Sequence, residues 1–122
     1  FRDFAYCDSG MIPWLLVAGL MSEKKQSLAE LVAAREAEFP CSGEINRRVE
    51  DPASLLATVE AQYGPTALRV EHRDGLSIEN SDWRFNLRMS NTEPVVRLNV
   101  ESRGNRALME ARTEELLRFM ER

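Results

Sequence analysis

The sequence predicts an α+β fold over residues 41–122: an antiparallel sheet with two helices on one face and the other face polar. Three observations lead there. Trp83, Phe85, Leu87 and Met89 alternate with Arg84, Asn86, Arg88 and Ser90, a clean period of two. After the turn Asn91-Thr92-Glu93-Pro94, Val96, Leu98 and Val100 resume the alternation. Upstream, Asp74-Gly75 joins the runs Ala67–His72 and Leu76–Asn80 and is a strong hairpin signal. Residues 1–40 hold two helical patterns and no strand to pack them on.

The first element is the apolar run Met11–Met21. About 20 apolar residues are needed to cross a bilayer, so the run is too short. Asp3 and Asp8 precede it where a signal peptide would be basic. Asp8 is expected to cap a helix over Ser9–Met21, with Pro13 tolerated in the first turn. A helix apolar all round belongs inside a larger domain. A second helix starts at the capping box Ser27/Glu30 and runs toward Phe39. The segment Phe39–Gly43 has linker composition, and the domain boundary is placed there, between residues 40 and 41.

Beyond it, Glu44–Val49 is a short strand with Ile45 and Val49 on one side. Asp51 caps a helix with Pro52 at its first position and Leu55, Leu56, Val59 and Tyr63 as its stripe. The four runs from Ala67 to Ser102 follow as a meander. The closing helix, Asn105–Met120, turns Leu108, Met109, Leu116, Leu117 and Met120 to one side and Glu110, Glu114, Arg118 and Glu121 to the other.

Composition narrows the function. The 122 residues carry 16 basic against 20 acidic side chains, a formal net charge of −4, which argues against nucleic acid as a partner. No membrane partner is expected. Cys7 and Cys41 are too few for a disulfide scaffold or zinc site and read as free thiols of a reducing, cytoplasmic compartment. There is no P-loop, GxGxxG or GxSxG. Acidic residues form no DxD cluster for magnesium. His72, the single histidine, reads as an exposed turn residue. Catalytic residues: none are assigned; metal ligands: none.

One constellation carries chemistry. Folding Trp83–Ser90 back onto Val95–Ser102 pairs residues whose numbers sum to 185, which matches the entire apolar side. On the polar side Asn86 meets Asn99 and Arg84 meets Glu101, both favourable pairs. Arg88 meets Arg97, and like charges roughly 5 Å apart at Cβ repel. Beside them lies a turn rich in donors: Ser90, Asn91 and Thr92. Two readings stay open. The guanidinium forks and turn donors can form an anion site, or both arginines simply point into water.

The segment RMSNTEPVVR, Arg88–Arg97, resembles the C-terminal phosphate-binding loop of the α-D-phosphohexomutases, whose pattern is R-x-S-[GN]-T-E-P with a further arginine shortly after. The resemblance extends over the whole chain, through FRDFAYCDSGMIPWLLVAGL and WRFNLRMSNTEPVVRLNVESRG, and is tightest to the branch acting on mannose phosphates. It implies that residues 1–40 are the last helices of an α/β third domain and 41–122 a fourth domain similar to the TATA-binding-protein module. It implies a parent isomerase that moves a phosphoryl group between the 1- and 6-positions of a hexose, through a phosphoserine and a bisphosphate. By the same resemblance Arg88, Ser90, Asn91, Thr92 and Arg97 hold the non-reacting phosphate of a phosphosugar, and Glu93 and Pro94 shape the turn. Mg2+ and a hexose 1,6-bisphosphate activator are implied for the parent. The family's serine, magnesium and sugar-recognition loops find no match here, so the remaining domains of the same enzyme are expected partners and the chain alone is expected to be inactive. Glucose or dual specificity, and a free-standing anion-binding or interaction module, are the alternatives.

Overall fold

The computed structural model describes residues 1–90 and 92–121. It falls into two compact units, Phe1–Glu36 and Ala37–Arg122.

The first unit holds α1 (Met11–Lys24) and most of α2 (Leu28–Glu38). Asp8 does not cap α1. Its Oδ1 accepts from Ser9 N at 2.9 Å, Ser9 Oγ accepts from Met11 N at 3.3 Å, and Gly10 occupies the cap position. The two acceptors close the turn in front of the helix, which shifts its start two residues beyond the expected Ser9. The helix also passes Met21, and Lys25, in the left-handed region at φ 52°, ends it by donating to Met21 O. The Ser27/Glu30 capping box forms as the spacing predicts: the backbone N–H and then the hydroxyl of Ser27 hold the Glu30 carboxyl below its usual range. Neither helix contains a buried residue, and Trp14 and Leu16 are 61% and 64% exposed. Local opening is therefore easier here than in a packed sheet. Amide hydrogen exchange should show weaker protection in α1 and α2 than in the sheet strands; equal protection would mean that these helices have a core of their own.

The second unit is the predicted α+β fold. Its strands are β1 (Ile45–Arg48), β2 (Arg69–Glu71), β3 (Leu76–Glu79), β4 (Trp83–Met89) and β5 (Val95–Ser102), and its helices α3 (Pro52–Tyr63) and α4 (Arg106–Met120). The sheet is antiparallel throughout, in the order β1-β5-β4-β3-β2. Strands β2 to β5 form the meander, while β1 comes from far upstream to pair with β5, Ile45 opposite Leu98. Strand β2 is shorter than the expected Ala67–His72: Ala67 is already extended after the 3₁₀ turn Gly64–Thr66, but the ladder with β3 spans only Arg69–Glu71.

Both helices cover one sheet face. Leu55, Val59 and Tyr63 of α3 and Met109, Leu116 and Met120 of α4 share a core with Leu76, Ile78, Phe85, Leu87, Val96, Leu98 and Val100. Asp51 and Asn105 cap α3 and α4, accepting from Ser54 N and Leu108 N at 3.0 Å each. Thr113 lies on the buried side of α4, where it satisfies its hydroxyl by donating to Met109 O at 2.8 Å. Tyr63 meets Trp83 and Phe85 edge-on, and the Arg112 guanidinium lies 4.9 Å from the Trp83 ring centroid. Burial, and then the Glu115 carboxylate, push the Tyr63 hydroxyl well above its ordinary range.

The Phe39–Gly43 segment is not a free linker. Ser102 N donates to Pro40 O at 3.0 Å, Ser42 N to Val100 O at 2.9 Å, and Gly104 N to Glu38 O at 2.8 Å. Its polar backbone groups take up the unpaired groups at the end of β5 beyond β1. Among the described residues, no helix is long and apolar enough to cross a membrane.

Candidate phosphate site

The pairing of β4 with β5 has the register that counting predicts: Met89 with Val96, Leu87 with Leu98, Phe85 with Val100, and Arg88 with Arg97. The alternation forces Arg88 and Arg97 onto the polar face, because shifting either strand by one residue would expose the core side chains. Arg84 and Glu101 pair as expected, Nη2 to Oε2 at 2.7 Å. The connecting turn is held at both ends. Ser90 N donates to Val95 O at 2.8 Å, and Pro94 O accepts from Val49 N at 3.1 Å, which ties the turn to the end of β1. Ser90 Oγ lies 3.3 Å from Thr92 Oγ1 and 3.4 Å from Thr92 N. Asn91 lies outside the described residues.

The structure corrects one expectation. The two arginines do not stand as a bare repelling pair, because each has a carboxylate. Arg88 Nη1 donates to Asp74 Oδ2 at 2.9 Å, and Arg97 Nη1 lies 3.8 Å from Glu44 Oε1. These partners come from the β2–β3 turn and the residue before β1, so the β4–β5 hairpin alone gives no sign of them. Arg97 Nε is buried without a hydrogen-bond partner among the described residues. A guanidinium with an unmatched donor is an incomplete arrangement.

Arg88, Ser90 and Arg97 line a shallow cleft of about 320 Å³ together with Arg73, Asp74 and Gly75. Arg73 is exposed and has no ion pair among the described residues. Thr92 stands beside the cleft through its contacts to Ser90. The β2–β3 turn is pressed hard onto β4. Gly75 has φ +74°, and a Cβ there would collide with Leu87 O and lie 2.7 Å from Arg88 Cα. Asn86 Nδ2 adds a hydrogen bond to Asp74 O at 2.9 Å. Sequence reasoning thus missed Arg73, Asp74 and Glu44. The signal for the first two was available: the β3–β4 register, Leu76 opposite Leu87, carries residues 74 and 75 to the level of Arg88.

Chemically, the cleft offers the three guanidinium groups of Arg73, Arg88 and Arg97, the Asp74 carboxylate and the Ser90 hydroxyl, with Glu44 and the Thr92 hydroxyl beside it. It suits an oxyanion of high charge. No cluster of three or more His, Cys, Asp or Glu side chains that could hold a metal ion occurs among the described residues. His72 is exposed, its Nε2 3.0 Å from Glu60 Oε2.

The fold and the cleft together describe an α+β unit with arginines gathered at one hairpin turn, and comparison with known proteins places it. Residues 44–120 match the family model of the phosphoglucomutase/phosphomannomutase C-terminal domain, and residues 1–39 match alpha/beta/alpha domain III of the same family. The chain belongs to the phosphoglucomutase/phosphomannomutase family. It is 65% identical over 120 residues to a phosphomannomutase of Salmonella montevideo and 60% identical over 120 residues to a phosphomannomutase of Escherichia coli strain K12. Each match covers 98% of this chain and 26% of the relative. It is also 57% identical over 116 residues to a protein named "Phosphohexose mutases" from Xanthomonas campestris pv. campestris strain B100, covering 95% of this chain and 26% of that one. The chain therefore spans about a quarter of the length of these relatives.

Proposed function

We propose that the chain is the C-terminal part of a phosphomannomutase that interconverts mannose 6-phosphate and mannose 1-phosphate in the cytoplasm. In this reading residues 1–40 close the third domain, and residues 41–122 form a fourth that clamps the non-reacting phosphate. Arg88, Ser90, Asn91, Thr92 and Arg97 are the clamp, with Arg73 as an added cation at its rim. The observation that carries it is the juxtaposition of Arg88 and Arg97 across β4–β5, next to the Ser90–Thr92 turn. Holding the distal dianion orients the sugar, so binding energy gained there serves the reaction at the other end. The residues present do not fit a magnesium site. Mg2+, the phosphoryl-carrying serine and the hexose 1,6-bisphosphate belong, in this proposal, to the other domains of a longer enzyme, and the chain alone turns nothing over. The 57% relative named for phosphohexoses favours a second reading, a mutase acting on glucose phosphates as well.

Titrating the isotope-labelled chain with mannose 6-phosphate tests the clamp. Amide shifts should concentrate at Ser90–Glu93 and Arg73–Gly75 and fade as salt rises, because the cleft is open to solvent and its charges are screened there. Shifts centred elsewhere, or none, would refute it.

A further inference from the structure

We propose that Asp74 is an internal counter-ion that lowers the affinity of the cleft for its anion, a role that rests on the phosphate-clamp reading. Its carboxylate takes the same Arg88 fork that an incoming phosphate needs, with Oδ2 2.9 Å from Arg88 Nη1. Its backbone cannot drift away. Gly75 is wedged against Leu87 O and Arg88 Cα, and Asn86 Nδ2 bonds both Asp74 O and Ser77 Oγ at 2.9 Å. The carboxylate itself is free to swing, since the Asp74 side chain is 72% exposed. A fixed backbone with a free carboxylate is a competitor kept at constant effective concentration, displaced only when a stronger anion arrives.

The alternative role, positioning, is less favoured by this geometry. Arg88 already stands on the central strand, paired with Arg97 and with only 36% of its side chain exposed, whereas Asp74 is the more exposed partner. Tightness beyond what orients the sugar adds nothing: binding ground and transition states equally does not raise the rate, and slow release can limit it. An opposing charge in the cleft keeps the phosphate exchangeable. Glu44, 3.8 Å from Arg97, is placed to do the same more weakly.

The test compares the 122-residue chain with Asp74→Asn, an isosteric change that keeps an acceptor for Arg88 and removes the charge. Inorganic phosphate and formate are titrated separately at mildly alkaline pH, where phosphate is a dianion, with amide shifts at Ser90 and Thr92 as the readout. Removing one like charge several ångströms from the ligand should tighten phosphate binding by about three- to tenfold at low salt. The gain should be smaller for formate, which carries half the charge, and should shrink at high salt. Unchanged or weaker phosphate binding by Asp74→Asn, while the unmodified chain still binds at Ser90 and Thr92, overturns the counter-ion role and leaves the clamp standing. A gain equal for both anions and indifferent to salt overturns it too, since that is a rearranged turn. No shift with either protein overturns clamp and counter-ion together.

Discussion

Gly75→Ala should destabilise the second unit by about 3 kcal/mol, combining the cost of a non-glycine residue at positive φ with a backbone collision. The glycine has φ +74°, and its missing Cβ is the space that lets the β2–β3 turn lie on β4. The obstructing atoms are Leu87 O and Arg88 Cα, both backbone atoms of the central strand β4, so relief requires moving the turn. Moving the turn breaks the Asn86–Asp74 hydrogen bond and withdraws Asp74 from Arg88. Gly104 is the control. It too has positive φ, +64°, but open space around its would-be Cβ, so Gly104→Ala should cost only about 1 kcal/mol. Denaturant midpoints of the two variants, at equal slope, measure the difference directly. If both lose the same amount, the turn yields without resistance and the close packing of Gly75 is not a constraint.

How much of this was readable beforehand depends on how far apart in sequence the interacting residues lie. The β4–β5 register followed from alternation and a four-residue turn, because each apolar residue on one strand had a single matching partner on the other. The caps at Asp51 and Asn105 and the Ser27/Glu30 box are local chemistry and were equally readable. Contacts that join distant segments were not. Strand β1 pairs with a strand about fifty residues downstream, and nothing in Ile45–Arg48 names Leu98 as its neighbour. The carboxylates of Glu44 and Asp74 reach the arginines only through that pairing and through the β3–β4 register, so a hairpin considered alone left Arg88 and Arg97 unneutralised. The segment Pro40–Ser42 has turn-forming residues yet runs along β5, because an edge with unpaired backbone groups is a stronger determinant than composition. In α1 the capping residue was misplaced by competition among three adjacent candidates, Asp8, Ser9 and Gly10.

The neutralised arginines change what mutating the site should do. Arg88→Ala should abolish the phosphate-dependent shifts at Ser90–Glu93 while altering unfolding free energy by less than about 1 kcal/mol, the range of an exposed ion pair. An unpartnered Arg88 facing Arg97 would instead have predicted a gain in stability on removal. With Asp74 bound at 2.9 Å, the lost attraction and the relieved repulsion oppose each other, and the net is small. Binding has no such compensation. One sugar phosphate held by a single exposed clamp corresponds to a dissociation constant on the order of millimolar, or about 4 kcal/mol, and one of its two opposed guanidinium forks is gone. Arg84→Ala separates charge from place: it also removes an arginine from the polar face of β4, but one paired with Glu101 two cross-strand positions away from Arg88. Arg84→Ala should leave the phosphate shifts nearly intact. If Arg88→Ala and Arg84→Ala weaken phosphate equally, the binding is a diffuse attraction to the sheet face and not a site. If Arg88→Ala unfolds the unit, Arg88 is a structural residue, and the donors of the Ser90–Thr92 turn have to be explained without it.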